Sequence, residues 1–286
     1  MLGLKRLAWR SVQIPMIMPK PDLTVLTGGY RKTPVLQIGA DVYCDTRLIA
    51  LELERRHPSP TLFPGGQRGV AQALAAWSDR AFFEPGAGLS MGTNRQGLPQ
   101  AVIDDRKAFF NFMDFDRLES DLDHLMTQLR AQADLVNQQL ADGRAFVLGD
   151  EPSLADIHAY FPLWMTRANV AAAASLLAPF GHLPAWEARV CAIGHGTRSE
   201  ATAADAHAAA RAATPVALHG VDPEDALGLA SGERVVVTPD DYGRVPVAGE
   251  LVTLALHEVA VRRHDPRVGT VVVHFPRIGY RVARAG

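Results

Sequence analysis

The stretch RKTPVLQIGADVYCDTRLI, residues 31–49, decides the fold of the first part of the chain. Two runs rich in β-forming residues, Val35–Ile38 and residues 42–44, are separated by Gly39-Ala40-Asp41, and this combination predicts a β-hairpin. The apolar residues that follow recur at helical spacing until Pro58, so a helix is expected directly after the second strand.

The composition favours a soluble globular protein. At 286 residues the chain exceeds the usual size of a single core, so two or three units are expected. A formal net charge of −2 gives no electrostatic reason to expect nucleic acid or an anionic membrane as a partner. Two cysteines are too few for a disulfide framework, and the first residues lack the pattern of a signal peptide. A cytoplasmic location without a membrane span is therefore the expectation.

Three compositional regions follow one another. Residues 1–64 alternate short apolar runs with helical pieces, which is typical of an α/β domain. Residues 66–214 are helical in pattern, and residues 215–286 contain short strand candidates separated by turn residues. The sequence therefore predicts an α/β domain, an all-helical domain and a small, mainly-β domain of about 70 residues.

The helical region contains a capping box. Ser153 stands three residues before Asp156, so each side chain can accept a hydrogen bond from the other's backbone N–H at the start of a helix. The glycine-rich segment EPGAGLSMGTNRQGLPQ, residues 84–100, predicts a loop. Helices are predicted over residues 67–83, 118–141, 153–174, 184–193 and 197–213.

The first two regions resemble a glutathione transferase, which has a thioredoxin-like α/β half followed by an all-helical half. The motifs that carry the resemblance are Lys32-Thr33-Pro34-Val35-Leu36, Asp45-Thr46, and Gly149-Asp150 through Ser153-Leu154-Ala155-Asp156-Ile157. Each motif is common by itself, and their order along about three quarters of the chain makes the assignment. The resemblance implies the family's fold and a homodimer. The C-terminal β domain resembles tails on some bacterial transferase-like proteins.

The resemblance also implies a glutathione site at the hairpin. In the family, the backbone of the residue before a cis-proline, here Thr33 before Pro34, pairs with the cysteinyl part of glutathione as an added strand would. Asp45 and Thr46 stand where a helix begins, so the helix dipole favours the γ-glutamyl carboxylate there, and Asp45 can take the ammonium group. The candidates for the glycine carboxylate are Arg31 and Lys32.

Each of these residues also has a structural interpretation. Pro34 could simply shape the hairpin, and Asp45 with Thr46 could only cap a helix. Arg31 and Lys32 could form a solvated turn. The ordered set of motifs favours ligand binding for Thr33, Asp45 and Thr46, whereas the structural interpretation is favoured for the two cations.

The chain departs from the family pattern at its beginning. A glutathione transferase opens with a strand and a helix, and the loop between them carries the Tyr, Ser or Cys that polarises the glutathione thiol. That strand lies between the strands that correspond to residues 9–14 and Val35–Ile38, and it is not recognised here. Either the natural protein begins upstream of Met1, which is favoured because the other site residues are intact, or this is a variant without the thiol-activating residue. The catalytic residue is therefore unknown, and Cys44 is a weak candidate because strand-end cysteines are usually buried and inert.

The expected reaction is the attack of glutathione thiolate on a small, electrophilic, apolar compound, with glutathione as substrate and no metal. The alternative is a non-catalytic binding or scaffold protein of the same fold. His257, His264 and His274 in the β domain match no common metal-ligand spacing. They are interpreted as solvated turn residues and a strand histidine.

Two aromatic groups in the helical region have two interpretations each. Tyr160, Phe161 and Trp164 recur at helical spacing, which favours a place in the core over a role in lining an acceptor pocket. A denser cluster is expected to face a dimer partner or an apolar substrate cavity. It consists of Phe109, Phe110, Phe112 and Phe115.

Overall fold

The predicted hairpin is present, with a strand and a helix before it and a helix after it. The structure is a computed structural model that describes residues 1–216 and 220–286, so residues 217–219 of the predicted β domain lie outside the described residues. The elements are β1 (Ala8–Val12), α1 (Pro21–Thr27), β2 (Val35–Ile38), β3 (Asp41–Cys44) and α2 (Thr46–Arg56). A proline begins α1 and Gly28, with φ 75°, ends it, which is the usual asymmetry of helix ends.

The helical region consists of seven helices in the part of the chain described. They are α3 (Arg68–Trp77), α4 (Phe83–Asn94), α5 (Gln100–Phe109), α6 (Leu122–Gln139), α7 (Leu154–Asn169), α8 (Ala173–Leu177) and α9 (Leu183–Ala192). A π-helical turn, Ser78–Phe82, joins α3 to α4. The family's all-helical half is therefore formed as the resemblance implies.

The loop predicted for residues 84–100 is wrong, because α4 runs through most of that segment. The glycines within α4 lie where other helices approach it, and they do not form turns. A Cβ atom on Gly88 would lie 2.9 Å from the side chain of Leu125, and one on Gly92 would lie 2.7 Å from Leu122. The absence of side chains lets α6 pack close to α4, and this packing compensates the low helix propensity of glycine.

The capping box at the start of α7 is buried around one carboxylate. Asp156 Oδ2 accepts hydrogen bonds from the N–H of Ser153 at 2.9 Å and from its hydroxyl at 2.7 Å. Asp156 Oδ1 accepts from the N–H of Val147 at 2.7 Å and from Nε1 of Trp186 at 2.8 Å. Because all four donors converge on a fully buried carboxylate, Asp156 joins α7, α9 and the preceding loop.

The helix predicted for residues 197–213 begins later than expected. Its first residues form β4 (Thr197–Ala201), and α10 (Ala203–Arg211) follows. Thr202 caps this helix, since its hydroxyl oxygen accepts from the N–H of Asp205 at 3.1 Å and the Asp205 carboxylate accepts from the N–H of Thr202 at 2.9 Å. This second capping box fixes the start of α10.

The strands predicted for the C-terminal region are present. They are β6 (Arg234–Pro239), β7 (Val247–Leu254), β8 (Glu258–Asp265), β9 (Gly269–Pro276) and β10 (Tyr280–Arg284), preceded by the short β5 (Gly220–Val221). Among the described residues they belong to an eight-stranded sheet with the order β10-β6-β7-β8-β9-β3-β2, in which β5 pairs with β7.

The C-terminal strands and the hairpin therefore share one sheet. β9 runs parallel to β3, with Asp41 opposite Val272 and Tyr43 opposite His274. The N–H of Val272 donates to the carbonyl of Ala40 at 3.0 Å, which continues this pairing to the hairpin turn. The β region thus extends the thioredoxin-like sheet on the β3 side.

The first strand has a different partner from the one that the family pattern implies. β1 pairs with β4 in a separate two-stranded sheet, and in the described part of the chain the large sheet ends at β2. Without the neighbouring strand of the family pattern, the backbone N–H and C=O groups of β1 would lack hydrogen-bond partners. Pairing with β4 supplies partners for part of them.

The described residues form two compact units with separate cores. The helical unit comprises residues 1–9, 53–107 and 112–197, and the sheet unit comprises residues 10–52, 108–111 and 198–286. The helical core includes Phe82, Leu129 and Trp186, and the sheet core includes Val42 and Phe275. The boundaries predicted near residues 65 and 214 stay a prediction. None of the described helices is both long and apolar enough to cross a membrane.

Candidate functional site

The predicted binding residues meet at one end of the β2–β3 hairpin. Val35 lies opposite Cys44 in the antiparallel register. The residues that precede β2, Thr33 and Pro34, are therefore next to Asp45, which follows β3. The Thr33–Pro34 peptide bond is cis, and both residues are exposed. An exposed backbone segment and the start of a helix thus lie side by side.

Asp45 links the hairpin to α2 through an unusual backbone conformation. Its φ of 77° lies in the left-handed region, which aspartate tolerates better than most residues. Its Oδ1 accepts a hydrogen bond from the N–H of Arg47 at 2.9 Å, within the first turn of α2. Its Oδ2 accepts one from the hydroxyl of Tyr280 at 3.1 Å. The carboxylate is therefore held from two sides at the helix N-terminus.

The two predicted cations are buried among groups of the sheet unit. The ammonium group of Lys32 lies 2.6 Å from Oδ1 of Asp241 and 4.5 Å from the centroid of the Tyr242 ring. The guanidinium carbon of Arg31 lies 4.6 Å from the ring centroid of Phe109. The interpretation of these residues as a solvated turn is wrong, because each is less than a tenth exposed and has a specific partner.

Part of the phenylalanine cluster packs on the turn that carries Asp241. The rings of Phe109 and Phe110 lie 5.2 and 5.3 Å from the ring of Tyr242. The N–H of Gly243 donates to the carbonyl of Phe109 at 2.9 Å, and the side chain of Asn111 donates to the carbonyl of Asp241 at 2.7 Å. Residues 108–111 and this turn therefore form one packed cluster beside Arg31 and Lys32.

The other two phenylalanines belong to the helical unit. The ring of Phe112 meets the ring of Phe83 edge-on at 6.1 Å, and Phe115 is buried. The four phenylalanines therefore divide between the two units, and a role of the cluster in facing a dimer partner or an apolar substrate cavity stays a prediction.

The three aromatic residues of α7 are also divided. Tyr160 packs against Trp186, with ring centroids 6.2 Å apart. Phe161 and Trp164 are about half exposed, at 47% and 50%, and their rings are stacked 6.0 Å apart. The core interpretation is therefore wrong for Phe161 and Trp164, which lie on the surface of the helical unit.

A buried ionic cluster, which the sequence did not reveal, holds the turn end of the hairpin. His274 Nε2 lies 2.9 Å from Oδ1 of Asp41, and its Nδ1 lies 2.6 Å from Oε1 of Glu258. The imidazole also stacks on Tyr43 with centroids 4.5 Å apart, and Asp41 Oδ2 accepts from the N–H of Val216 at 3.0 Å. His274 is thus buried and paired with two carboxylates. The alternation of apolar and polar residues along a strand does not reveal such charged partners.

This cluster controls the protonation of its histidine. Burial alone would lower the pKa of His274, but the hydrogen bonds to Asp41 and Glu258 outweigh burial and raise the pKa above its usual value. In its protonated form the imidazole has a donor for each of the two carboxylates.

Three groups near Asp45, those of Cys44, Tyr30 and Tyr280, have raised pKa values. Burial, together with the charge of Asp45, raises the pKa of the Cys44 thiol well above its usual range. The same two causes raise the pKa of Tyr30, and burial is the main cause that raises the pKa of Tyr280. All three groups therefore stay protonated near neutral pH, and the weak candidacy of Cys44 as a nucleophile loses support.

Among the described residues, no group of three or more His, Cys, Asp or Glu side chains is arranged to hold a metal ion. His264 is exposed and contacts the hydroxyl of Thr270 at 3.3 Å.

Comparisons with known proteins agree with this architecture. Residues 1–61 match the model of the glutathione S-transferase N-terminal domain, and residues 101–193 match that of the C-terminal domain. No curated protein matches the sequence.

Similar solved structures include a GST-like protein from Pseudomonas syringae, which is 37% identical with a TM-score of 0.83. The alignment covers 99% of this chain and 93% of that one, so it includes the C-terminal β region. Glutathione S-transferase III in its apo form is 20% identical with a TM-score of 0.50, over 67% of this chain and 83% of that one, and it shows the fold alone. Glutathione S-transferase-I bound with lactoylglutathione is 17% identical with a TM-score of 0.44, over 56% and 69% of the two chains. This chain therefore belongs to the glutathione S-transferase family.

Proposed function

We propose that the chain binds glutathione at the open end of the β2–β3 hairpin and conjugates its thiol to small, electrophilic, apolar compounds. The observation that carries the proposal is the register of the hairpin, which brings the exposed Thr33–Pro34 segment next to Asp45 and Thr46. A γ-glutamyl tripeptide requires two features of its binding site. Backbone groups pair with its peptide part, and a helix start that carries a carboxylate binds its charged amino-acid end.

Each end of glutathione has a partner in this arrangement. The backbone of Thr33 would pair with the cysteinyl residue, next to Pro34. The Asp45 carboxylate would take the γ-glutamyl ammonium group, and the start of α2 at Thr46 would favour the γ-glutamyl carboxylate.

Arg31 and Lys32 are the candidates for the glycine carboxylate. The ammonium group of Lys32 contacts both oxygens of Asp241, at 2.6 and 2.8 Å. Binding through Lys32 would therefore require the ligand carboxylate to share this ammonium group with Asp241.

In the proposed reaction the glutathione thiol loses its proton to solvent or base, and the thiolate sulfur forms a bond to an electrophilic carbon. The leaving group departs with its bonding electron pair. The protein must lower the thiol pKa from about 8.5 toward neutrality. Cys44 and Tyr30 are buried, and the buried hydroxyl of Tyr280 already donates to Asp45, so we assign no residue to this role.

A non-catalytic binding protein is the second candidate, and one observation favours it. Lys32 is paired with Asp241, so part of the predicted recognition charge is used within the chain. A protein that keeps the transferase fold for binding or assembly would have no need of a free cation there. Homodimer formation and a cytoplasmic location are part of both proposals, by resemblance to the family.

Calorimetric titration with glutathione and a conjugation assay with 1-chloro-2,4-dinitrobenzene separate the candidates. Binding with turnover supports the transferase, binding without turnover supports the binding protein, and no binding contradicts both. Asp45→Asn should weaken glutathione binding about tenfold or more, because a charge-assisted hydrogen bond is lost. The matched control is Asp123→Asn, which changes an exposed carboxylate in the first turn of α6 and should leave binding unchanged. Equal affinities of the two variants would contradict the role of Asp45.

A further inference from the structure

The C-terminal β region supplies a hydroxyl group to the proposed glutathione site. Tyr280 is the first residue of β10, and this strand pairs with β6. Its hydroxyl lies 3.1 Å from Oδ2 of Asp45, although the two residues are 235 positions apart. A side chain from the end of the chain thus reaches the carboxylate that the proposed function assigns to the γ-glutamyl group.

The direction of this hydrogen bond is fixed by chemistry. An ionised carboxylate accepts and does not donate, so Tyr280 donates to Asp45. The Tyr280 oxygen also lies 3.1 Å from the hydroxyl of Tyr30, which can donate to it in turn. Tyr30, Tyr280 and Asp45 therefore form a relay of donors that ends on one carboxylate oxygen.

Packing holds the Tyr280 hydroxyl in place. The Tyr280 ring lies 5.4 Å from the ring of Phe275, which in turn lies 5.7 Å from the ring of Tyr30. All three side chains are buried. Burial also raises the pKa of Tyr280, so the hydroxyl keeps its proton and remains a donor across the neutral range.

The backbone of Asp45 explains why a second contact to its side chain matters. The left-handed φ of 77° is costly for a residue with a Cβ atom, and the Arg47 N–H holds only one carboxylate oxygen. The contact with Tyr280 fixes the other oxygen and therefore the orientation of the whole carboxylate.

We infer that Tyr280 is a positioning residue for Asp45, so that the C-terminal β region completes the glutathione-recognition site. The inference rests on the proposed function. It gives the C-terminal region a role within the site, in selecting ligands that carry the γ-glutamyl group.

The test measures two ligands by NMR titration: glutathione, and cysteinylglycine, which lacks the γ-glutamyl group. Tyr280→Phe keeps the ring and removes the hydroxyl. It should weaken glutathione binding about three- to tenfold, the usual effect of one hydrogen bond, and leave cysteinylglycine binding unchanged. A merely structural role of Tyr280 would weaken the binding of both ligands by the same factor, and this result would overturn the inference.

Two further variants sharpen the test. Tyr30→Phe removes the other buried hydroxyl of the relay but no direct contact to Asp45, so its effect on glutathione should be smaller than that of Tyr280→Phe. In the background of Asp45→Asn, Tyr280→Phe should have little further effect, because its influence acts through the carboxylate.

The outcomes also separate the inference from the proposed function. If the unmodified protein does not bind glutathione, both are overturned. If it binds glutathione and Tyr280→Phe binds equally well, only the inference is overturned. Thermal unfolding of each variant shows that the compared proteins are folded.

Discussion

Two aspartates at the ends of one strand show how position decides the role of a side chain. Asp41 begins β3 and is 1% exposed, with His274 and the Val216 N–H as its partners. Asp45 follows β3, is half-buried, and stands at the start of a helix beside the exposed Thr33. The first carboxylate is enclosed by the protein, whereas the second belongs to a half-buried residue at a helix start.

The difference teaches that charge alone does not identify a binding residue. The ionic partner of a buried carboxylate matters for stability mainly because removing it would leave an uncompensated buried charge, which is costly. A partly exposed carboxylate at a helix start can contribute to ligand affinity at little cost in stability. The variants below test this contrast between Asp41 and Asp45.

The largest effect is expected for Asp41→Asn. This change leaves His274 and the Val216 N–H competing for one amide oxygen, and the new NH2 group adds a buried donor. We expect the free energy of unfolding to fall by about 3 to 5 kcal/mol, which is typical of breaking a buried ion pair. Urea denaturation measures this quantity. A loss below about 1 kcal/mol would show that the buried cluster is not ionic.

An intermediate effect is expected from pH. Because the pKa of His274 is raised in the folded protein, its contribution to stability is fully present below its unfolded pKa of about 6.5 and is lost as pH rises through the folded value. The free energy of unfolding should therefore decrease above about pH 6.5, by at most about 1.4 kcal/mol per pH unit. Denaturation at several pH values measures this slope, and His274→Gln should remove it. Equal slopes in the two proteins would contradict the protonated state of His274.

The smallest effect on stability is expected for Asp45→Asn. Asparagine tolerates the left-handed backbone, and its amide oxygen can still accept from the Arg47 N–H. The free energy of unfolding should change by less than about 1 kcal/mol, since Asp45 is half-buried and the new NH2 group can donate to the Tyr280 hydroxyl. The same urea experiment measures it. A loss as large as that of Asp41→Asn would remove the contrast between the two residues.

The sequence predicted the elements whose signals are local. The hairpin follows from two β-rich runs around a glycine turn, and β6 to β10 follow from runs of valine bounded by turn residues. The order of the motifs around Pro34, Asp45 and Ser153 sufficed for the family. The helix through Gly88 and Gly92 was missed, because the signal that makes glycine suitable there is the approach of α6, which no local pattern contains.

The candidate site was predictable only for its own segment of the chain. Asp45 and Thr33 were predicted as binding residues from their neighbours in sequence, and this role stays a prediction. The contacts of Tyr280 with Asp45 and of Asp241 with Lys32 join segments more than 200 residues apart, as does the parallel pairing of β3 with β9. Hydrophobic periodicity reports which face of a strand is buried and carries no information about which strand lies beside it. His274 lies in a strand, as expected, and its carboxylate partners were missed for the same reason.

The pairing of β3 with β9 also has a consequence for the synthesis of the protein. β3 ends at Cys44, and its neighbour β9 ends at Pro276, more than 200 residues later along the chain. At roughly 5 to 20 residues per second, on the order of ten seconds or more separate the two during translation. Through that interval β3 lacks its neighbour β9, and the sheet unit is completed only after β9 has been made.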